Sequence, residues 1–245
     1  MPSSAIWTCS AVALIMIYFW PRLLSSRLRR LAGVEVRPPV KEGIDSLTQH
    51  DIYHIAFLLH QKLPMELVPQ ILDSAECWLK STTHTDERIA VGDQDLLNHD
   101  DEDIREGAPY LLSPPLGLGG SSGQHPVRKV VFTITSKDQG YSWDTEYHGT
   151  YENSWTWFEA AVRTTDDRNA ARIGNKRIIS NVHAGQSYKT HVISLSYDSA
   201  KKEDKVWVEA LARGQYIELS ARAKYPGWTC FAKYAQIDVY SAAVR

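Results

Sequence analysis

From Val127 onward, apolar and polar positions alternate with a period of two. In RKVVFTITS, Val130, Phe132 and Ile134 fall on one face and Val131, Thr133 and Thr135 on the other, as side chains do along a strand. SWTWFEAAV, KRIISNV, HVISLSY, QYIELSARA and FAKYAQIDVY are further strand candidates, rich in β-branched and aromatic residues. Turn-forming residues separate them: Asp138-Gln139-Gly140, Glu152-Asn153, Asp166-Asp167, Ala184-Gly185, Asp198-Ser199 and Pro226-Gly227. No long helical pattern alternates with these strands, which argues against a doubly wound sheet. The expected fold is mainly β: an antiparallel, jelly-roll-like β-sandwich over residues 127–245.

Between Asp45 and Lys80 the period is that of a helix, and residues 45–80 read as a helical hairpin. Ser46 with Gln49, or Thr48 with Asp51, offers an N-terminal capping box. Ile52, Ile55, Leu59 and Leu63 then recur at three-to-four spacing. Leu63-Pro64 breaks the pattern, because a residue before proline is pushed out of the α region. Pro64 suits the first position of a second helix, with Leu67, Val68, Ile71, Leu72, Ala75, Trp78 and Leu79 as its apolar face. Pro69 would then remove a ladder donor, so this helix either starts nearer Glu66 or is kinked. Residues 82–126 read as a linker, combining an acidic run with SPPLGLGGSSG, a composition poor in buriable surface. GLGGSSGQ is no phosphate loop: no Gly-Lys-Ser/Thr follows it.

The first thirty residues differ from all this. Ala5 to Trp20 is apolar apart from Thr8 and Ser10, Pro21 and Arg22 end the run, and Leu23 and Leu24 extend it. Trp7, Tyr18 and Trp20 sit where interfacial aromatics would. The expectation is a single-pass anchor within residues 1–30, contacting the membrane through Ala5 to Leu24. Arg27, Arg29 and Arg30 follow it, which by the positive-inside rule keeps the rest of the chain in the cytosol. The outer mitochondrial membrane and the endoplasmic reticulum both fit. A cleaved signal peptide, a mitochondrial presequence and a buried helix are the rival readings; the charge order and the lack of an obvious small-x-small cleavage site argue against the first.

Charge and cysteine content narrow the function classes. The net charge is −2 over 245 residues, so no global basic field recruits nucleic acid. Cys9, Cys77 and Cys230 show no CxxC spacing, and read as reduced, buried thiols. His148, His183 and His191 match no common ligand spacing, so no metal and no cofactor is expected. GxSxG is absent. Glu146, Glu152 and Glu159 could pair for glycoside cleavage, but no motif singles them out, and no catalytic residue is assigned.

What stands out is aromatic. Tyr141, Trp143, Tyr147 and Tyr151 fall in a loop-like stretch. Exposed rings on loops at the end of a sandwich bind sugars or peptides in many modules; the alternative is that they plug its open end. In SWTWFEA, Trp155, Trp157 and Glu159 share one face and Thr156, Phe158 and Ala160 the other. Both faces carry aromatics, so the strand is expected to be covered on both sides, with Trp155, Trp157 and Phe158 in the core. Glu159 then needs a partner, and Arg222 is the candidate.

Two resemblances add to this reading. LPMELVPQILDSAECW (Leu63 to Trp78) resembles the opening of an F-box, although KSTTHTDERIAVGDQD follows in place of its later helices. That resemblance implies docking to a ubiquitin-ligase adaptor through Leu63, Pro64, Leu67, Ile71 and Trp78. FTITSKDQGYSWDTEYHGTYENSWTWFEAAV with ELSARAKYPGWTCFAKYAQIDVY resembles a domain of uncharacterised fungal proteins that often follows such a helix. Its strand pattern is similar to galactose-binding-like jelly rolls, and fold likeness of that kind says little about function. The expected function is a non-catalytic, membrane-anchored protein whose sandwich binds a protein or small polar ligand. A ubiquitin-ligase substrate receptor is the alternative, and a sugar-active enzyme the third.

Overall fold

A computed structural model describes residues 48–92, 108–117, 125–167, 171–225 and 227–243. The apolar stretch from Ala5 to Leu24, Cys9 and much of the acidic run lie outside the described residues. Among the described residues no helix is long and apolar enough to cross a membrane.

Helix α1 (Gln49–His60) begins at Thr48, using the second of the two possible capping boxes. Asp51 N donates to Thr48 Oγ1 at 3.2 Å and Thr48 N donates to Asp51 Oδ2 at 2.9 Å. Helix α2 (Leu67–Ser74) starts with Glu66 as its N-cap. Pro69 is therefore its third residue, where the N–H has no intrahelical partner to lose, and no kink is needed. Val68 and Leu72 pack with Ala56 and Leu59 of α1.

The second helix is shorter than its apolar pattern suggests. Glu76 takes a left-handed φ of 56°, Glu76 N donates to Asp73 O at 3.0 Å, and Cys77 N donates to Leu72 O at 2.9 Å. This pair of bonds is the Schellman stop. Glutamate in place of the usual glycine hides it from a sequence reading. Trp78 and Leu79 consequently open strand β1 (Trp78–Thr85) instead of completing a helix.

That strand corrects the expected linker. β1, β2 (Ile89–Gly92) and β3 (Ala108–Leu112) are strands of the sandwich, so its described part runs from Trp78 to Ala243 and not from residue 127. β1 and β3 are edge strands, with one sheet neighbour each. Edges tolerate the polar run KSTTHT and a proline, Pro109, better than central strands do.

The remaining strands follow the period-two reading: β4 (Val127–Lys137), β5 (Thr156–Arg163), β6 (Arg172–Ser180), β7 (Lys189–Ser196), β8 (Tyr216–Ala223) and β9 (Thr229–Ala242). One sheet has the order β1-β9-β4-β7, with β2 continuing beside β9; the other has β3-β8-β5-β6. All described pairings are antiparallel. With β1 and β2 taken as one interrupted strand, every connection except β5–β6 crosses between sheets, the winding of a jelly roll. Val130, Phe132 and Ile134 are fully buried against Phe158, Ile217 and Leu219 of the second sheet.

A third helix, α3 (Lys202–Glu209), was not foreseen. Five of the eight residues of KEDKVWVE are charged, so its buried apolar face is only Trp207 and Val208. Both are buried in the core, and Trp207 Nε1 donates to Gly174 O at 2.8 Å. The helix follows the end of β7 at which Ser196 pairs with Lys129. The β4–β5, β6–β7 and β8–β9 connections leave from the opposite end, where Lys137 pairs with Phe231.

Candidate functional site

At that opposite end three connections are tied to one another. Asp138 is buried at the base: Gly140 N donates to its Oδ1 at 2.8 Å and Ala184 N to its Oδ2 at 2.6 Å. Burial raises this carboxyl above the usual carboxylate range, and the backbone donors oppose the shift. Gly149 N donates to His183 O at 2.9 Å and His183 N to Thr150 O at 2.8 Å, a short ladder joining residues 138–155 to the β6–β7 loop. Lys224 N donates to Trp155 O at 2.9 Å, which ties in the β8–β9 loop.

Beneath them lies a buried amide. Asn181 Oδ1 accepts from Ser136 Oγ at 2.6 Å, and its Nδ2 donates to Thr156 Oγ1 at 2.9 Å and to Cys230 Sγ at 3.3 Å. One side chain thus bridges β4, β5 and β9, and its polar atoms are satisfied.

On this base the four loop aromatics divide into two pairs. Tyr141 and Trp143 are displayed, 55% and 87% exposed, with ring centroids 5.3 Å apart in edge contact. Tyr147 and Tyr151 instead cover histidines. Tyr147 lies 6.0 Å from the His183 ring, and Tyr151 Oη lies 3.1 Å from His191 Nε2. Burial lowers the His191 pKa, with a smaller contribution from Lys189. His183 Nδ1 lies 3.1 Å from Glu152 O, and a carbonyl oxygen can only accept, so Nδ1 is the donor. Nε2 is buried and makes no hydrogen bond. Lysines flank the platform over aromatic rings: Lys233 over Tyr188 at 4.7 Å, Lys189 over Tyr151 at 5.0 Å and Lys137 over Phe231 at 5.3 Å.

Glu159 and Arg222 do meet. Arg222 Nη2 and Nε lie 2.7 and 2.9 Å from Glu159 Oε2. Trp157 Nε1 donates to Glu159 Oε1 at 2.7 Å, and the Arg177 guanidinium lies over the Trp157 ring at 4.7 Å. This group sits on the outer face of the second sheet and not on the loop bearing Tyr141 and Trp143. The expected core placement of Trp155 and Trp157 is corrected here: both are half-buried on the outer side, and only Phe158 enters the core. The cause is alternation, since Thr156, Phe158 and Ala160 take the inner positions.

The helix-pair residues also divide. Leu67 is 43% exposed and Pro64 is exposed, while Leu63 and Ile71 are half-buried. Trp78 is buried; its Nε1 donates to Asp73 Oδ1 at 2.8 Å, and Asp73 also pairs with Arg128 of β4. Trp78 therefore fastens the helices to the sandwich and is not free to dock a partner. Phe57, Leu58 and Met65 are more exposed than Leu67. The reading by apolar period missed them, since exposed positions break that period.

Among the described residues no cluster of three His, Cys, Asp or Glu could hold a metal ion. Cys77 and Cys230 are free and buried, and burial pushes the Cys230 thiol up to about 12, which leaves almost no thiolate for nucleophilic attack.

No family model and no curated protein matches this chain. Solved structures that align with it include an infectious bursal disease virus VP2 subviral particle, at 7% identity and a TM-score of 0.30, over 68% of this chain and 34% of that one. A family two carbohydrate esterase from Cellvibrio japonicus aligns at 10% identity and a TM-score of 0.23, over 66% and 34%. The match thus spans about a third of each of those chains.

Proposed function

We propose that this chain is a non-catalytic binding protein, anchored to a membrane by Ala5 to Leu24, whose sandwich takes a protein or small polar ligand on the Tyr141–Trp143 platform. The observation that carries the reading is the display of Trp143. A side chain that is 87% exposed contributes almost nothing to the core, yet its loop is tied down by Asp138 and by the His183 ladder. Fixed, exposed rings offer contact area at low entropic cost. The platform also lies at the end of the sandwich away from α1 and α2.

Arrays of glycans and of peptides test it. Tyr141→Ala with Trp143→Ala is expected to abolish capture of any ligand the unmodified protein selects, with the melting temperature unchanged. Unaltered capture combined with lower stability would make the loop a structural plug.

The exposed strip of Phe57, Leu58, Met65 and Leu67 favours a second reading, a ubiquitin-ligase substrate receptor docking through the helix pair. Leu67→Asp is then expected to abolish pull-down of purified adaptor subunits. No pull-down by the unmodified protein would remove this reading.

A further inference from the structure

The outer face of the first sheet carries lysines at both ends. Val130, Phe132 and Ile134 of β4 point into the core, so Lys129, Thr133 and Lys137 point outward. On β9, Asp238 and Tyr240 share this face, opposite Val131 and Lys129, and Lys233 is the extra residue of the bulge beside Ser136. On β1, Lys80 lies opposite Tyr240. The face is open to solvent: Val192 of β7, opposite Thr133, is 68% exposed.

Its charges do not balance. Lys80, Lys129, Lys137 and Lys233 share the face with one carboxylate, Asp238, which pairs with Lys80 at 3.3 Å and accepts from Thr82 and Gln236 as well. Among the described residues no carboxylate lies within ion-pair distance of Lys129, Lys137 or Lys233. Their ammonium groups instead lie over rings: Lys129 over Tyr240 at 4.6 Å, and Lys137 and Lys233 over Tyr188 at 5.5 and 4.7 Å. Lys137 Nζ also donates to Gln186 O at 3.3 Å. Two like charges held over one ring repel, and an anion brought beside them relieves that repulsion.

We propose that this face docks an acidic, extended segment of a partner protein. Three properties select that occupant. Lysines without acidic partners are complementary to carboxylates. They are also far apart: Lys137 lies eight positions beyond Lys129 on one strand, about 27 Å along it. A compact anion such as phosphate meets only one end of the face, whereas an extended segment reaches both. Lastly, the rings at both ends already have ammonium groups over them, which leaves less open aromatic surface for nucleic-acid bases or sugar rings to stack on. This surface is distinct from the Tyr141–Trp143 platform and does not depend on it.

A fluorescein-labelled peptide of about ten residues, alternating glutamate and serine so that its carboxylates share one side when extended, tests this with the full chain by anisotropy. Binding is expected at low salt and is lost in about 1 M salt, where the Debye length falls to about 3 Å. The triple variant K129Q, K137Q, K233Q is expected to weaken binding about tenfold or more, as the loss of three surface ion pairs would. The variant K201Q, K202Q, K205Q removes the same charge at α3 and is expected to leave binding unchanged. Should the first variant lower the melting temperature, Lys129→Gln and Lys137→Gln decide singly, each expected to weaken binding about twofold to threefold. Tyr141→Ala with Trp143→Ala is expected to leave this binding intact, so failure here and failure of the platform are distinct results. No peptide binding, equal weakening by both triple variants, or dependence on Lys137 but not on Lys129 overturns the proposal. So does tighter binding of a heparin-derived oligosaccharide than of the peptide, or loss of peptide binding in the Tyr141→Ala, Trp143→Ala variant.

Discussion

His191 shows how one buried side chain makes stability depend on pH. Its ring is covered by Tyr151, and burial depresses its pKa below the ordinary 6.5. Above about pH 6.5 neither folded nor unfolded imidazole holds the extra proton, so it contributes no slope. As pH falls below that value the unfolded chain takes up the proton first, so stability drops until the lower folded-state pKa is passed. Denaturant midpoints measured from pH 7.5 to 5 are expected to fall less steeply for His191→Gln than for the unmodified protein. Identical slopes would show that this ring is not buried neutral. Asn181 acts at the same scale without titrating: its contacts with Ser136, Thr156 and Cys230 leave three strands dependent on one amide. Neither residue was visible as important beforehand, because which polar groups meet in the interior is decided by strand register and not by spacing.

Among the elements, the helix pair behaves differently from the sandwich. Val68 and Leu72 bury its small core, while Leu67, one position earlier than Val68, remains 43% exposed. Leu72→Ala is expected to cost about 2–5 kcal/mol, the usual range for a buried leucine. The loss should show in helical circular dichroism, with the sandwich core retained. Leu67→Asp is expected to leave the unfolding curve unchanged. Equal destabilisation by both would mean that the exposed strip is a packed surface. The two helices and their capping box were legible from period and composition. The boundary at Ser74 was not, because Glu76 adopts a left-handed conformation that its residue type does not favour.

At the scale of the whole molecule, the two ends of the described sandwich differ. Chain entry and the helices lie at one end of the sandwich and the displayed aromatics at the other. The proposed anchor predicts that the full chain fractionates with membranes and resists carbonate extraction. Recovery in the soluble fraction with residues 1–30 intact would remove the anchor from the proposed function and leave the platform test standing.

Local pattern sufficed for features whose energetics are local. Alternation located strands β4 to β9, because each has a core-facing row of apolar side chains. The Thr48–Asp51 box and the need of Glu159 for Arg222 followed from short-range hydrogen bonding and from the cost of an unpaired charge. Tertiary structure alone decided the rest. β1 completes its sheet through the polar run KSTTHT, since an edge strand draws stability from its neighbour's backbone, and β2 and β3 are too short to show a period although Val91 and Tyr110 reach the core. The loop aromatics looked alike in the sequence. They separated into a displayed pair and a covering pair only when His183 and His191, far along the chain, came beneath two of them.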